Sequence, residues 1–280
     1  MQIKSIDLRI DYSAAGVTTP KKQCRFVGYE LPVYGEIDSI LRPAVIICPG
    51  GAYAWISDRE GEPVATEFLA KGISAYILSY TCSEDGSFPC ALLEVFSAVR
   101  YVREHAKENH INPNRIFLCG FSAGGHCAAA AGTMWNHPIA RSLGFIGTDH
   151  RPDGLILGYP VISGGVYAHS ESFRNLLGDA YSEKTVELTS LENRVNSETP
   201  RTFLWHTAAD NSVPVQNSLL FAKALADHHV PFELHVYPNG EHGLSTVRFD
   251  ILTPGRFEQD TYMLSSVPTW IQDAIRFVFA

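Results

Sequence analysis

Apolar strand-like segments alternate with helical segments along most of this chain, and that alternation restricts its fold more than any other feature. The strand patterns lie at residues 6–10, 24–31, 44–48, 74–80, 115–119, 154–158, 202–206 and 232–237. The helical patterns lie at residues 62–71, 92–109, 124–135, 217–228 and 267–279. Because each crossover must pack a helix back onto the sheet, the alternation predicts an α/β fold whose central sheet is mostly parallel, doubly wound and flanked by helices on both faces.

One interval, residues 163–197, breaks the alternation. It is polar and aromatic, with short helical patterns at residues 171–177 and 183–191 and no sheet strand. Open α/β sheets bind their ligands beyond the carboxyl ends of the strands. We therefore predict a single domain over residues 1–280, with a small cap or lid insertion above that edge at about residues 163–197, called the cap segment below.

Charge and hydropathy exclude several classes of partner. The 280 residues carry 22 Lys and Arg against 30 Asp and Glu, a formal charge of −8, which disfavours nucleic acid and anionic membranes. The first ten residues alternate polar and apolar instead of forming a secretory signal, and no segment approaches the ~18 apolar residues of a membrane span. We expect a soluble cytoplasmic protein, and its oligomeric state, monomer or homodimer, stays open.

The six cysteines include no Cys-x-x-Cys pair. Cys48 and Cys119 end apolar runs that are typical of buried strands, which favours reduced core thiols. Cys82 and Cys90 flank a glycine-containing loop, so a disulfide between these two is the alternative.

A Gly-x-Ser-x-Gly motif at residues 120–124 stands between an apolar strand pattern and an alanine-rich helical pattern. This strand–turn–helix context is the one in which the motif presents a nucleophilic serine. Gly120 and Gly124 leave room for a tight, strained turn, and the helix that follows brings backbone amides and a positive dipole end beneath the developing charge. The motif predicts Ser122 as the nucleophile.

The same residues also have the spacing of a phosphate-binding loop, Gly-x-x-x-x-Gly after a strand. Such a loop continues with Lys and then Ser or Thr, which contact the phosphates and the magnesium ion. Here the next residues are His126 and Cys127, so nucleotide binding is disfavoured.

A serine hydroxyl needs a general base, and the base needs a partner that fixes its tautomer. When the nucleophile stands in this context, the chain order is Ser, then Asp or Glu, then His. Asp210 follows the strand pattern at 202–206, and His242 follows the last strand pattern in a loop flanked by Gly240 and Gly243. We predict His242 as the base and Asp210 as its orienting acid; a helix cap near Pro214 is the other role open to Asp210.

The chain has 11 histidines, and no other combines a loop after a strand with flanking glycines. The remaining ten fall in strand patterns, helices, turns or the cap segment, namely His105, His110, His126, His137, His150, His169, His206, His228, His229 and His235. No histidine pairs with another His or a carboxylate at metal-ligand spacing on one helix, so we predict no metal site.

Small residues follow the strand pattern at 44–48, in the sequence Pro-Gly-Gly-Ala-Tyr. Backbone amides in such a loop can stabilise the oxyanion of a tetrahedral intermediate. We predict donors at Gly51 or Ala52 together with Ala123; a plain structural turn is the alternative. Tyr53 and Trp55, beside this loop, are candidates for stacking on a sugar ring, with an ordinary core or rim role equally open.

With these residues in place, the chain resembles the α/β-hydrolase esterases of the acetyl-xylan esterase and lipase/esterase-like group, near the hormone-sensitive lipases. The similar segments are residues 48–53, 57–65, 112–126, 151–161, 206–214 and 237–244. The oxyanion loop reads Pro-Gly-Gly-Ala where lipases have His-Gly-Gly-Gly, and Ala209 stands where relatives often have a second acid. The second departure leaves Asp210 as the only acid in its loop.

The resemblance implies an α/β-hydrolase fold and a serine carboxylesterase that acts on a small-molecule ester by two-step acyl transfer, without a cofactor. It also implies acetylated sugars or xylo-oligosaccharides as substrates, and the short cap segment argues for short acyl chains. Two alternatives stay open: a serine peptidase of the prolyl-oligopeptidase type, and a non-catalytic binding protein on a hydrolase scaffold. The chain is too short for the N-terminal propeller of such peptidases, and a binding protein would usually have lost a triad residue.

Overall fold

The structure is a computed structural model and describes residues 1–36, 39–248, 251 and 265–280. Its strands are β1 (Gln2–Ile6), β2 (Arg25–Glu30), β3 (Arg42–Cys48), β4 (Ser74–Ser79), β5 (Ile111–Phe121), β6 (Gly154–Gly158), β7 (Thr202–Thr207) and β8 (Phe232–Tyr237). Its α-helices are α1 (Glu62–Leu69), α2 (Cys90–Glu104), α3 (Ala123–Met134), α4 (Pro138–Ser142), α5 (Ser170–Leu177), α6 (Glu183–Leu188), α7 (Gln216–Asp227) and α8 (Thr269–Phe279).

These strands form one eight-stranded sheet in the order β1-β2-β4-β3-β5-β6-β7-β8. The pairs β1·β2 and β2·β4 are antiparallel, and every pair from β4 to β8 is parallel. A parallel sheet needs helices on both faces, and the alternating residues of its strands supply two apolar cores. The predicted mostly parallel, doubly wound sheet is therefore confirmed.

One core lies on each face of the sheet. On one face, Ile46 and Leu118 of the central strands belong to the same buried cluster as residues of α2, α3 and α7. On the other face, Ile47 and Phe117 share a buried cluster with residues of α1 and α8. Each central strand thus contributes successive side chains to opposite faces, which explains why these strands read as unbroken apolar runs.

The first strand corrects the sequence prediction. A strand was expected at residues 6–10, but β1 ends at Ile6, where it pairs with Phe26 of β2. The Asp7 carboxylate accepts a hydrogen bond from the Arg9 amide at 2.9 Å, and Arg9 has a φ of +48°. This local turn competes with strand pairing and ends β1 early.

The predicted cap segment contributes α5, α6 and two short 3-10 helices, and no strand, between β6 and β7. Its place in the chain puts it at the carboxyl edge of the parallel strands, where Asn175 contacts the loop after β3, as described below. Within the residues that the structure describes, no helix is both long and apolar enough to cross a membrane.

Candidate active site

Ser122 lies in the turn between β5 and α3, at the carboxyl edge of the parallel strands. Its backbone has φ +52° and ψ −121°, a conformation that residues other than glycine rarely adopt, and the residue is 7% exposed. A Cβ at Gly124 would lie 2.0 Å from the carbonyl oxygen of Cys48, so only glycine lets α3 start this close to β3. The turn is held because the Ser122 amide donates to the Gly158 carbonyl at 3.0 Å. This hydrogen bond to the last residue of β6 stabilises the strained backbone of Ser122.

The structure brings the side chains of Ser122, His242 and Asp210 into one hydrogen-bonded row. The Ser122 Oγ is 2.8 Å from Nε2 of His242, and Nδ1 of His242 is 2.7 Å from Oδ2 of Asp210. Because a carboxylate can only accept, Nδ1 carries the proton and Nε2 is free to accept from the serine hydroxyl. This arrangement can remove the serine proton and stabilise the resulting imidazolium.

Asp210 is the best-satisfied acid of this edge, and its side chain is 0% exposed. Its Oδ1 accepts hydrogen bonds from the amides of Ser212 and Val213, both at 2.9 Å. Burial alone would raise its pKa, but hydrogen bonds from His206 and His242, the charge of His242 and the Ser212 amide hold it well below its ordinary value. The acid therefore stays ionised beside the base.

His206 is a second histidine beside the Asp210 carboxylate. The sequence pattern assigned it only to a strand and did not predict this contact. Its Nε2 lies 2.9 Å from the Val213 carbonyl and 3.3 Å from Oδ2 of Asp210, while Nδ1 lies 2.8 Å from the Ser218 hydroxyl. Two acceptors at Nε2 require a proton on that nitrogen, so His206 donates toward the acid. Its spacing four residues before Asp210 was the available signal.

The loop after β3 presents the predicted oxyanion donors through fixed peptide planes. The Gly51 carbonyl accepts from the amides of Ala54 and Trp55 at 2.9 and 3.1 Å, and the Gly50 carbonyl accepts from Ser57 at 3.0 Å. In a trans peptide the next N–H points opposite to the carbonyl. These bonds therefore orient the amides of Ala52 and Gly51 away from the loop interior.

Backbone conformation explains the small residues of this loop. Gly51 has φ +128°, and a Cβ there would lie 2.0 Å from the carbonyl oxygen of Trp55. Ala52 also has a positive φ, +54°. Ala123 is the first residue of α3, where an amide has no partner within the helix. In the described part of the chain, none of the three amides donates a hydrogen bond.

Tyr53 corrects one of the predicted substrate contacts. Its side chain is 2% exposed, its ring packs at 5.5 Å from that of Tyr80, and its hydroxyl lies 2.8 Å from Nδ1 of His126. A ring buried on both sides has no face left for a sugar, so Tyr53 is a core residue. Trp55 is 57% exposed, which leaves its predicted role open.

The cap segment is linked to the oxyanion loop by one direct hydrogen bond and by a second connection that passes through His126. Asn175 of α5 donates from Nδ2 to the Ala52 carbonyl at 2.9 Å. His126 of α3 connects the two regions: its Nδ1 lies 2.8 Å from the Tyr53 hydroxyl, and its Nε2 lies 2.8 Å from the Thr189 carbonyl. Burial lowers the pKa of His126 to about 4, so the ring is neutral, accepts from Tyr53 and donates to Thr189.

All six cysteines are free thiols, Cys82 and Cys90 among them. Burial raises the pKa of both thiols, to about 12 for Cys82 and about 11 for Cys90. Among the described residues, no group of His, Cys, Asp and Glu is arranged to hold a metal ion.

Comparison with known proteins agrees with this fold. A family model described as BD-FAE matches residues 35–151, and the model of the prolyl oligopeptidase family matches residues 166–257. An acetyl ester-xyloside bifunctional hydrolase from Caldicellulosiruptor lactoaceticus has a similar structure, with a TM-score of 0.81 and 36% identity over 98% of this chain and 94% of that one. The fold and the site define an α/β hydrolase.

Curated relatives agree with this class. Endo-1,4-beta-xylanase B of Butyrivibrio fibrisolvens is 37% identical over 215 residues, which are 76% of this chain and 34% of that protein. Acetylxylan esterase of Xylanibacter ruminicola is 31% identical over 240 residues, 83% of this chain and 47% of that protein. This chain thus spans between a third and a half of these relatives. It belongs to the α/β-hydrolase esterases of the acetylxylan esterase type.

Proposed function

We propose that this chain is a serine carboxylesterase that hydrolyses short-chain esters, acetyl esters of carbohydrates above all. The observation that carries the proposal is the row from the Ser122 Oγ through His242 to Asp210, with distances of 2.8 and 2.7 Å. The free amides of the loop after β3 and of Ala123 support it, because acyl transfer needs donors for an oxyanion.

The reaction follows from these contacts. His242 takes the proton of Ser122 through Nε2, and the serine oxygen attacks the ester carbonyl. The amides of Gly51 or Ala52 and of Ala123 stabilise the oxyanion, and the imidazolium returns its proton to the departing alcohol. Water then repeats the two steps on the acyl-serine. Asp210 stays ionised throughout and stabilises the imidazolium. The chemistry needs no cofactor.

The substrate class rests on similarity and on the cap segment. The relatives named above are an endo-1,4-beta-xylanase, an acetylxylan esterase and an acetyl ester-xyloside bifunctional hydrolase. The hydrogen bond that Asn175 donates to the Ala52 carbonyl and the one that the Thr189 carbonyl accepts from His126 hold the cap segment against the oxyanion loop and α3, which favours a small acyl group. Trp55, exposed beside the loop, offers a surface on which a sugar ring can stack.

A peptidase is the second candidate, because the prolyl oligopeptidase model matches residues 166–257, which include Asp210 and His242. The same catalytic row can cleave an amide. A proline-containing peptide anilide distinguishes the two candidates, since an esterase of this kind should hydrolyse p-nitrophenyl acetate far faster than the anilide.

The test is hydrolysis of p-nitrophenyl acetate, butyrate and octanoate, with acetylated xylo-oligosaccharides alongside. We expect the acetate to be the best p-nitrophenyl substrate, release of acetate from the oligosaccharides, and a loss of about 10⁴-fold or more in kcat for Ser122→Ala. Ser97→Ala is the matched control, because Ser97 also makes one side-chain hydrogen bond, to the Leu93 carbonyl, but lies on α2.

Three results would contradict the proposal. A wild-type protein that hydrolyses none of the esters would exclude the esterase activity. Equal activity in wild type and Ser122→Ala would exclude Ser122 as the nucleophile. Faster hydrolysis of octanoate than of acetate overturns the short-chain preference.

A further inference from the structure

Glu60 is a buried acid that the catalytic row does not use. It ends a 3-10 helix, Asp58–Glu60, is 3% exposed and carries its carboxylate between two loops of the carboxyl edge. One oxygen, Oε2, accepts from the Gly50 amide at 2.7 Å, and the other, Oε1, accepts from the Tyr159 hydroxyl at 2.6 Å. Burying a carboxylate costs free energy unless its oxygens accept hydrogen bonds, so these two hydrogen bonds stabilise Glu60 at this buried position.

The first bond reaches the oxyanion loop. Gly50 directly precedes the candidate donor Gly51, and a Cβ on Gly50 would lie 2.7 Å from Oε2 of Glu60 and 3.0 Å from Cβ of Ser122. The Gly50 carbonyl accepts from the Ser57 amide at 3.0 Å. Residues 57–60 thus hold the peptide planes on both sides of Gly50, and the second of these planes carries the Gly51 amide.

The second bond reaches the loop of the general base. The Tyr159 hydroxyl donates to Glu60 and accepts from the Ser245 amide at 2.9 Å, three residues beyond His242. The Tyr159 ring also meets the His242 ring edge-on, with centroids 5.0 Å apart. Burial, and then the charge of Glu60, raise the pKa of Tyr159, so its hydroxyl keeps the proton that it donates.

A third contact closes this connection. The Ser245 hydroxyl donates to the Arg59 carbonyl at 2.7 Å, next to Glu60 in the chain. The loop after β3 and the loop after β8 are thereby attached to the same three-residue helix. A shift of either loop would displace the amide donors or the base, and a 1 Å displacement of catalytic groups can cost about 100-fold in rate.

We propose that Glu60, through Tyr159, is a positioning residue that holds the oxyanion loop and the His242 loop in catalytic register. This role rests on the proposed esterase function. It is distinct from general stability because it predicts a loss in kcat at nearly constant KM for acetate.

The chain offers a matched control on the same segment. Glu62, two residues further on, also accepts a hydrogen bond from a tyrosine hydroxyl, that of Tyr29 on β2, and among the described residues the two side chains make no hydrogen bond to either catalytic loop. The same two substitutions, Glu→Gln and Tyr→Phe, can therefore be made in both pairs: Glu60→Gln and Tyr159→Phe against Glu62→Gln and Tyr29→Phe.

The experiment measures kcat and KM for p-nitrophenyl acetate, with active sites counted by a fluorophosphonate and folding followed by thermal unfolding. We expect Glu60→Gln and Tyr159→Phe each to lower kcat per titrated site about 10- to 100-fold, with KM changed less than about 3-fold. The double variant should be no worse than about 2-fold below the lower single variant, because both changes break one connection. Glu62→Gln and Tyr29→Phe should keep kcat within about 2-fold.

Three outcomes overturn the role. An unchanged kcat in Glu60→Gln and Tyr159→Phe shows that the connection is not needed. Fewer titratable sites with normal kcat per site assigns Glu60 to stability alone, and losses that multiply in the double variant show two independent effects. If the wild type hydrolyses no ester, or if Ser122→Ala hydrolyses esters as fast as the wild type, it is the proposed esterase function that fails, before the role of Glu60 is tested.

Discussion

Two acids with fully buried side chains, in different regions, have pKa values that are shifted in opposite directions. Asp210, at the carboxyl edge, has a pKa well below its ordinary value, whereas burial raises the pKa of Glu94, on α2, to about 7. Neither side chain has exposed surface. Burial alone therefore does not decide the charge of an acid in this protein.

The donors around each acid explain the difference. Glu94 accepts from the Tyr12 hydroxyl at 2.7 Å, the Thr81 amide at 2.7 Å and the Thr81 hydroxyl, which are all neutral groups. Asp210 accepts from two amides and two histidines, one of which becomes an imidazolium in the proposed reaction. At Glu94 the neutral donors offset only part of the desolvation of the carboxylate, whereas at Asp210 the hydrogen bonds from His206 and His242, together with the charge of His242, outweigh it. Asp210 therefore keeps its charge beside the catalytic histidine, whereas Glu94 has a structural role in the core.

The largest expected effect comes from removing the charge at the carboxyl edge. Asp210→Asn keeps an oxygen for the Ser212 and Val213 amides but places an amide group against Nδ1 of His242. The base would then hold its proton on Nε2 and could not accept from Ser122, so we expect kcat to fall by about 10³- to 10⁴-fold. The measurement is kcat for p-nitrophenyl acetate.

Asp227→Asn is the control for this change, because Asp227 pairs with Lys223 on the exposed side of α7 at 2.6 Å. Its kcat should equal that of the wild type. A fall of less than about 10-fold in Asp210→Asn would mean that the charge of this acid contributes little, and the contrast with Glu94 would lose its functional meaning.

The next effect concerns stability and pH at Glu94. The folded protein keeps the Glu94 proton up to about pH 7, whereas the unfolded chain releases it near pH 4.5, so the folded state binds more protons between these values. Stability from this group is complete below pH 4.5 and is lost as the pH rises through 7, by about 3 kcal/mol in the free energy of unfolding. Glu94→Gln should lack this loss.

Urea unfolding of wild type and Glu94→Gln at pH 5, 6, 7 and 8 measures the difference. The free energy of unfolding of the variant should rise relative to that of the wild type as the pH increases. Glu104→Gln, an exposed acid on the same helix, should follow the wild type. Parallel curves for wild type and Glu94→Gln would show that Glu94 titrates normally.

The smallest effect tests a single donor. Tyr12→Phe removes one hydrogen bond from Glu94 and leaves the ring in place, so the free energy of unfolding should fall by about 1–3 kcal/mol. The loss should be larger at pH 8 than at pH 5, because the charged carboxylate needs the donor more. Tyr34→Phe, at a 58% exposed tyrosine, should cost nothing. Unchanged stability in Tyr12→Phe at both pH values would contradict this account.

Sequence patterns predicted the frame of the molecule closely. The expected strands at residues 154–158 and 232–237 coincide with β6 and β8, and the helical patterns match α1, α2, α3, α7 and α8 to within a few residues. The error at β1 arose because apolar alternation continued past Ile6 into a turn made by Asp7 and Arg9. Periodicity records which side chains a segment can bury, and it does not record competing local hydrogen bonds.

The candidate site divides in the same way. Ser122, Asp210 and His242 each carry a local signature, a glycine-flanked turn or a loop after a strand, so the sequence alone singled them out and determined the α/β frame that gathers strand ends at one edge. Only the tertiary structure decided that Tyr53 is buried, that His206 faces Asp210, and that Glu60 joins Tyr159, 99 residues away. These contacts join side chains from separate loops, and which of them meet depends on how the helices and sheet pack rather than on any pattern within one segment.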